Sequence, residues 1–390
     1  MRRVLLSRGL YGRPQDALGP MRIAVLHDHL RFIGGGERLV LTLASALDAD
    51  LYVTDLDPEL PARIGMPGVR VHEIAAVPST PILRQERQAS AFRAADLPGY
   101  EAYVCSGNWA VFAAAKHRPS LWYCYTPVRV FYDLRESFLH DLPLPARWAA
   151  RNWIKRARPR YEAAVSKVEH IVASSRNVAG RLARFLHRIA EVVYPPVDTS
   201  KYRFDRVGDF WLSVSRLSHE KRLGLLAEAF RNLPGERLVI AGGPQMGVDA
   251  KRFIRSLRPP DNVEFLGEVD ESRLLELYAT CRGLVATAQD EDFGLTPVEA
   301  MASGKAVIAV DEGGYQESVV HGETGWLVPA RPDTIRDAVR SATTARLETL
   351  RIRCRSRAEL FDQRVFVSRM REMLGRIVEA RADGGRPATF

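Results

Sequence analysis

Short apolar segments alternate with helical segments along this chain, and a double-proline sequence divides the alternation into two series. Arg22 to Leu26 is an apolar run typical of a buried strand, His27 to Gly36 is a polar, glycine-rich loop, and Arg38 to Leu47 has helical spacing. Such alternation predicts a parallel sheet covered on both faces. Further strands of this first series are predicted at Tyr103 to Cys105, Leu121 to Tyr125, Ile171 to Ser174 and Glu191 to Tyr194.

The prolines of Tyr194-Pro195-Pro196-Val197-Asp198 end the first series, because proline terminates strands and stiffens linkers. The second series is predicted to have strands at Phe210 to Ser215, Arg237 to Ala241, Val263 to Leu266, Gly283 to Ala288 and Ala306 to Val310, with helices at Lys221 to Leu233, Glu271 to Thr280 and Pro297 to Ser303. The sequence therefore predicts an α/β protein with two doubly wound, Rossmann-like domains, residues 21–197 and 198–360, facing each other across a cleft. Residues 1–20 are predicted to be an extension, and residues 361–382 a terminal helix.

The length of 390 residues suits two domains, and no apolar run approaches the roughly 18 residues of a membrane span. The four cysteines, Cys105, Cys124, Cys281 and Cys354, form no CxxC pair. This pattern indicates a reduced, cytoplasmic chain.

The formal net charge of +9 admits nucleic acid, an anionic membrane surface or phosphorylated substrates as partners. Six cations and no acid lie between Arg147 and Arg160, interleaved with Trp148 and Trp153. This segment is either a solvated helix face or a contact with an anionic membrane surface, where tryptophans and cations act together. No nucleic-acid-binding motif accompanies the charge, so a nucleic-acid partner is not predicted.

Glu291 and Glu299 bracket the sequence Asp292-Phe293-Gly294-Leu295-Thr296-Pro297-Val298, which joins a predicted strand to a predicted helix. Open α/β sheets bind ligands outside the carboxyl ends of their strands. The helical N–H groups can hold an anionic group, and the carboxylates can hold hydroxyls. A sugar nucleotide offers both kinds of group.

Each of these acids also has another interpretation. Thr296-Pro297-Val298-Glu299 has the form of a capping box, with Thr296 as the N-cap and Glu299 as its partner. Glu291 near a helix N-terminus could merely complement the helix dipole. Asp290-Glu291-Asp292 has the DxD form of metal-dependent sugar transferases, although those enzymes carry it early in a single domain.

The region from Glu291 to Glu299, continued by Ala300-Met301-Ala302-Ser303-Gly304-Lys305, resembles the EX7E region of the retaining glycosyltransferases of family GT4. Gly313-Gly314, Glu317 and Gly322-Glu323-Thr324-Gly325 continue the family pattern. The resemblance extends from about Met21 to the terminal helix, and it implies the GT-B fold, in which the terminal helix crosses back to the N-terminal domain. Within the family, the chain looks most like bacterial mannosyltransferases that use GDP-mannose.

The resemblance implies a role for each matching residue. Glu299 would bind the ribose hydroxyls of the donor, and Glu291 would hold hydroxyls of the transferred sugar and face its anomeric carbon. The remaining donor-binding residues implied are Phe293, Gly294, Leu295 and Thr296, through their backbone N–H groups, Val269 in the loop along the nucleobase, and Gly35 and Gly36 beside the phosphates.

Arg216 follows the first strand of the second series, and Lys221 opens the next predicted helix. A cation in a first helical turn opposes the helix dipole, at a cost of about 0.3–1 kcal/mol. Either Lys221 is simply exposed, with Ser218 as the N-cap, or a bound diphosphate reverses that cost. In the resembled family, residues matching Arg216 and Lys221 clamp the diphosphate in place of a metal, so no metal cofactor is expected.

The acceptor side is predicted at Tyr125 and Arg129, in Tyr123-Cys124-Tyr125-Thr126-Pro127-Val128-Arg129. Many relatives have a histidine where Tyr125 stands. A tyrosine can donate a hydrogen bond but neither gains nor loses a proton near pH 7, so the role of that histidine does not transfer, and Tyr125 could be a packing residue. Arg129 could pair with an acceptor phosphate or with Asp133.

The resulting hypothesis is a retaining hexosyltransferase that moves mannose from GDP-mannose to a lipid-linked or polysaccharide acceptor, with the enzyme held on the inner membrane face. A UDP-sugar donor, a sugar-nucleotide epimerase or hydrolase, and a non-catalytic basic binding protein are the alternatives. A covalent intermediate on Glu291 would resemble the retaining hydrolases, but those need a second carboxyl about 5 Å away.

Overall fold

The computed structural model describes residues 21–245 and 248–383. The N-terminal part forms a seven-stranded sheet in the order β3-β2-β1-β4-β5-β6-β7, and every described pairing is parallel. Its strands are β1 (Ile23–His27), β2 (Asp50–Val53), β3 (Val71–Glu73), β4 (Ala102–Ser106), β5 (Ser120–Cys124), β6 (His170–Ala173) and β7 (Glu191–Val192).

The C-terminal part forms a separate six-stranded parallel sheet in the order β10-β9-β8-β11-β12-β13. Its strands are β8 (Phe210–Val214), β9 (Arg237–Ala241), β10 (Val263–Gly267), β11 (Gly283–Ala286), β12 (Val307–Val310) and β13 (Gly325–Val328).

Helices cover both faces of each sheet. In the N-terminal part they are α1 (Gly35–Ala46), α2 (Leu60–Arg63), α3 (Leu83–Ala94), α4 (Arg135–His140), α5 (Leu144–Val165) and α6 (Arg176–Leu186). The helices that follow are α7 (Leu223–Arg231), α8 (Ala250–Leu257), α9 (Glu271–Thr280), α10 (Leu295–Ala302), α11 (Tyr315–Ser318), α12 (Pro332–Ser341), α13 (Thr344–Glu359) and α14 (Gln363–Ala382). Short 3-10 turns lie at Ala110–Ala113, Arg129–Phe131, Thr199–Lys201 and His219–Lys221.

The strand β1 shows why a continuous apolar run is required in such a sheet. Ile23 and Val25 pack into one hydrophobic cluster, whereas Ala24 and Leu26 pack into another on the opposite face. A strand of a parallel sheet that is covered on both sides has no face left for water, so its positions are mainly apolar, and the one polar residue of β1, His27, is also buried. The predicted α/β fold class with two parallel-sheet domains is confirmed.

The terminal helix α14 packs on the N-terminal sheet. Phe366, Met370 and Leu374 belong to the same hydrophobic cluster as β1. Where α14 begins, the N–H of Gln363 donates to the carbonyl of Val197, and the N–H of Val197 donates to the carbonyl of Phe361. The linker between the sheets and the start of the returning helix are therefore joined directly.

Some elements differ from the sequence predictions. The short strands β2, β3 and β13 were not predicted, because each has five residues or fewer and the first two contain charged residues. The predicted extension at residues 1–20 lies outside the described residues. Within the described part of the chain, no helix combines the length and apolarity needed to cross a bilayer.

Candidate active site between the two sheets

The loop that carries Glu291 joins β11 to α10 at the carboxyl end of the C-terminal sheet. Gly294 is the N-cap of α10 and has φ of 84°, in the left-handed region. A Cβ atom at Gly294 would lie 2.5 Å from Cε1 of Tyr315, so both the backbone angle and the packing require glycine. The predicted capping box is therefore wrong: α10 begins at Leu295, Thr296 lies inside the helix, and no side chain caps it.

Lys221 and Glu291 form an ion pair at this loop. Nζ of Lys221 is 2.5 Å from Oε2 of Glu291, and both side chains are about four-fifths buried, with exposed fractions of 18% and 20%. The loops are also joined through backbone, since the N–H of Gln289 donates to the carbonyl of Glu220 at 2.7 Å.

The prediction that Lys221 opens a helix is wrong. It ends a 3-10 turn, Arg222 is left-handed at φ of 49°, and α7 begins at Leu223. Ser218 precedes that turn, but its side chain makes no capping hydrogen bond.

Arg216 lies in the loop after β8 and is exposed. Among residues 21–245 and 248–383, no side chain or carbonyl forms a hydrogen bond or ion pair with its guanidinium. Its charge acts across the cleft, where it opposes the rise in the pKa of Glu37 in the N-terminal domain. Arg216 is thus a cation in the cleft that remains available to an anion.

Glu299 lies one turn into α10 and is half-buried. Its Oε2 accepts a hydrogen bond from the hydroxyl of the fully buried Tyr278 at 2.6 Å. Burial raises the pKa of Glu299, while the bond from Tyr278 and the charge of Arg38 act in the opposite direction. The carboxylate is therefore held in a fixed orientation and still has lone pairs free to accept hydroxyl groups.

The other predicted donor-binding residues lie in this loop, in the first turns of α10 and α1, and after β10. Phe293 is buried, and its ring packs 5.2 Å from the rings of Tyr194 and Phe361. Gly35 starts α1, and a Cβ there would lie 2.9 Å from Cδ1 of Leu295, so the two domains touch at this point. Val269 follows β10 and packs partly buried against the C-terminal core. The structure brings Glu291, Lys221 and residues 293–296 together, with Gly35 opposite.

Tyr125 and Arg129 are both engaged within the protein. The hydroxyl of Tyr125 is 2.7 Å from Oγ of Ser106 and donates to the carbonyl of Gly36 at 3.3 Å. Burial raises the pKa of Tyr125, so its hydroxyl stays neutral. Arg129 pairs with Asp133 at 2.6 Å, as one of its two predicted partners, and also with Asp290 at 3.1 Å.

Two residues at the site were not predicted. Glu37 is buried in the first turn of α1, with its Oε1 3.4 Å from Nδ1 of His29, and burial raises its pKa to about 7. Its position directly after Gly34-Gly35-Gly36 was the available sequence signal. Arg181, on α6, pairs with Asp290 and Asp292 across the domain boundary. An arginine within an amphipathic helix gives no such signal, because its partners lie 109 and 111 residues away.

The fold and this arrangement define a class of protein. Sucrose-phosphate synthase from Thermosynechococcus elongatus superposes with a TM-score of 0.70 at 18% identity, covering 92% of this chain and all of that chain. Anabaena Alr3699/HepE, solved with UDP and glucose, superposes with a TM-score of 0.69 at 18% identity over 91% of this chain. The fold is the GT-B fold of glycosyltransferases.

The sequence comparisons point to glycosyltransferases. Residues 199–360 match the family Glycosyl transferases group 1, so this part of the chain is a glycosyltransferase domain of the GT4 type. The human alpha-1,3/1,6-mannosyltransferase ALG2 is 26% identical over 385 residues, which cover 84% of this chain and 88% of ALG2. The lipopolysaccharide core biosynthesis mannosyltransferase LpcC of Rhizobium leguminosarum bv. viciae is 49% identical over 70 residues, 18% of this chain and 19% of LpcC. The resemblance to family GT4 is confirmed.

Proposed function

We propose that the protein transfers a mannosyl group from GDP-mannose to a hydroxyl of a glycan or polyprenyl-linked glycan acceptor, with retention of the anomeric configuration. The observation that carries this proposal is the ion pair of Lys221 with Glu291. Arg216, in the loop after β8, adds a guanidinium that has no ion-pair partner among the described residues. A cation for phosphate and a carboxylate for sugar hydroxyls thus lie together at the carboxyl end of the sheet. The mannosyl group is supported by the names of ALG2 and LpcC.

In the proposed reaction, the bond between the anomeric carbon and the β-phosphate oxygen breaks, and the acceptor oxygen bonds to the same face of that carbon. The leaving diphosphate oxygen takes the proton of the acceptor hydroxyl. Arg216 and Lys221 stabilise the negative charge that develops on the diphosphate, as preorganised cations do in a water-poor cleft. Glu291 orients the sugar and stabilises its positive charge, and Glu299 binds the ribose.

We infer that the reaction needs no metal ion. Asp290 and Asp292, the outer residues of the DxD-like sequence, are engaged by Arg181, and Arg129 adds a second cation at Asp290. Their carboxylates are therefore already neutralised by protein groups. Full activity in excess EDTA is the expected result, and loss of activity that added Mg²⁺ or Mn²⁺ restores would contradict the inference.

A panel of donors tests the proposed function. GDP-mannose at a hundredfold excess over its Kd should stabilise the protein by about 2.7 kcal/mol, whereas UDP-glucose and UDP-GlcNAc should have little effect. The Lys221→Ala variant should lose the GDP-mannose effect. If UDP-glucose stabilises the protein instead, the donor is wrong. If labelled GDP-mannose without acceptor gives free mannose or an epimer at the rate of transfer, the protein is a hydrolase or epimerase.

We further propose a cytoplasmic enzyme peripheral to an anionic membrane surface, which it contacts through α5. Leu144, Trp148, Arg151 and Lys155 follow helical spacing along one face, and the first two are 75% and 73% exposed. Arg158 and Arg160 are instead paired with Glu162 and Glu86. Arg151 and Lys155 have no ion-pair partner in the part of the chain that the structure describes, and apolar side chains beside such cations suit an anionic bilayer interface.

Vesicle sedimentation tests this contact. The protein should bind vesicles that contain anionic lipid at low salt and release them at high salt, and it should not bind neutral vesicles. Replacing Trp148, Arg151 and Lys155 by alanine should abolish binding. The matched control replaces Ile352, Arg353 and Arg355, an exposed apolar residue and two exposed cations on α13. Equal loss in both variants, or no binding by the wild type, would contradict the proposal.

A further inference from the structure

Three consecutive backbone carbonyls of the Glu291 loop are bound by side chains of the other domain. Nη2 of Arg181 donates to the carbonyl of Asp290 at 2.6 Å, and Nδ2 of Asn177 donates to the carbonyl of Glu291 at 2.9 Å. Oγ of Ser175 donates to the carbonyl of Asp292 at 2.5 Å. All three donors lie on α6 or directly before it, so one part of the N-terminal domain binds three successive residues of the loop.

The side chains of the same loop are held from the same direction. Arg181, with only 6% of its side chain exposed, is 2.9 Å from Oδ2 of Asp290 and bonds Asp292. Asn177 donates to Oδ1 of Asp290 at 2.9 Å, and Arg129 adds a second cation. Burial raises the pKa of Asp292, although the charge of Arg181 opposes the shift. Removing a buried partner would leave an uncompensated charge, which is strongly destabilising for the contact.

At the same contact, a carboxylate of the C-terminal domain accepts hydrogen bonds from the N-terminal domain. Glu317 accepts hydrogen bonds from the first backbone N–H groups of α6, at 2.8 Å from Arg176 and 2.9 Å from Asn177. These N–H groups have no acceptor within their own helix, and the helix dipole favours an anion there. The start of α6 is thus fixed to the C-terminal domain while its side chains hold the Glu291 loop.

The loop backbone is also held by its own domain. Asp290 has a left-handed φ of 46°, a conformation that is uncommon for a residue other than glycine. Within the C-terminal domain, the N–H of Gln289 donates to the carbonyl of Glu220 at 2.7 Å, the N–H of Gly314 to the carbonyl of Glu291 at 2.8 Å, and the N–H of Asp290 to Glu312 at 3.4 Å. Among the described residues, the donors to the carbonyls of Asp290 and Asp292 belong to the N-terminal domain. The backbone path that orients Glu291 therefore depends on both domains.

We propose that Ser175, Asn177 and Arg181 are positioning residues, which set the orientation of Glu291 for glycosyl transfer only when the two domains are in contact. This inference rests on the role of Glu291 in the proposed function. The hydrogen bonds that join the two domains here are the same bonds that fix the Glu291 loop. Closing the cleft therefore also completes the catalytic geometry. Arg216 and Lys221 belong to the C-terminal domain, so donor binding there does not require α6.

Kinetics of two variants and one control test the positioning role. Asn177→Ala removes a half-buried amide, and Arg181→Lys keeps the charge but loses the two-pronged contact. Both should lower kcat at least tenfold while the Kd for GDP-mannose changes less than threefold. Arg184→Ala is the control, since Arg184 is exposed on the same helix and its described contact is with the ring of Phe185. It should keep wild-type kcat.

Hydrogen exchange supplies a readout that does not depend on activity. In both variants the backbone amides of residues 290–294 should exchange faster than in the wild type, while those of β8 and β11 remain unchanged. If kcat stays within twofold of wild type and exchange at the loop is unchanged, the positioning role is refuted. If the wild type transfers no mannose, the proposed function fails, whereas the exchange result still decides whether α6 orders the loop.

Discussion

Nζ of Lys221 lies 2.5 Å from Oε2 of Glu291, so the cation proposed for the donor phosphate and the carboxylate proposed for its sugar are partners of each other. Removing either one leaves the other partly buried and unpaired. Lys221→Ala and Glu291→Gln should each lower kcat/KM at least about 100-fold, as loss of a preorganised charge does. The double variant should lose little more than either single variant, because the groups act as a unit. Initial rates of transfer provide the measurement, and additive losses would argue against a shared role.

Removing the hydrogen bond from Tyr278 to Glu299 should distinguish an effect on donor binding from an effect on folding. Tyr278→Phe removes one hydroxyl, which should lower the free energy of unfolding by about 1 kcal/mol. If Glu299 holds the ribose, the KM for the donor should rise severalfold with kcat nearly unchanged, the pattern of lost uniform binding. Thermal melts and steady-state kinetics on one preparation give both values. A melting shift with an unchanged donor KM would assign Tyr278 to packing alone.

Glu37 makes stability depend on pH in a defined direction. Burial raises its pKa from 4.5 to about 7. The folded protein therefore binds this proton more tightly than the unfolded chain, and the contribution of Glu37 to stability falls as the pH rises from about 4.5 to about 7. The total loss is on the order of 3 kcal/mol. Urea unfolding across this pH range should show that the free energy of unfolding of Glu37→Gln rises relative to that of the wild type. A constant difference would contradict the raised pKa.

Substitution by alanine should have opposite effects on stability at two glycines of the site. A Cβ at Gly314 would lie 2.3 Å from Cα of Phe293, so Gly314→Ala must displace the Glu291 loop and should lower both stability and kcat. A Cβ at Gly36 meets nothing within 4 Å, and this helical position should gain up to about 1 kcal/mol from alanine. A higher donor KM for Gly36→Ala at unimpaired stability would indicate that the donor approaches Gly36. Equal stability losses in both variants would contradict the geometry.

Much of the fold could be predicted because its determinants are local. Continuous apolar runs such as residues 23–26 and Val307–Val310 indicate by their composition that both faces of the strand are buried. Short strands such as Val71–Glu73 could not be predicted, since only pairing with a neighbouring strand makes that segment extended. The capping box at Thr296 was wrong because α10 begins at Leu295, after the left-handed Gly294, and the close approach of Tyr315 to that glycine is a tertiary feature.

The sequence by itself determined the two series of strands, the linker at Pro195-Pro196 and the candidate residues Glu291, Glu299, Arg216 and Lys221, because each is marked by neighbouring residues. Only the tertiary structure decided which of these residues meet. The pairing of Lys221 with Glu291 spans 70 residues, and that of Arg181 with Asp292 spans 111. Contacts at such separations depend on how two sheets are docked, and that geometry is set by packing across the whole chain rather than by any local pattern.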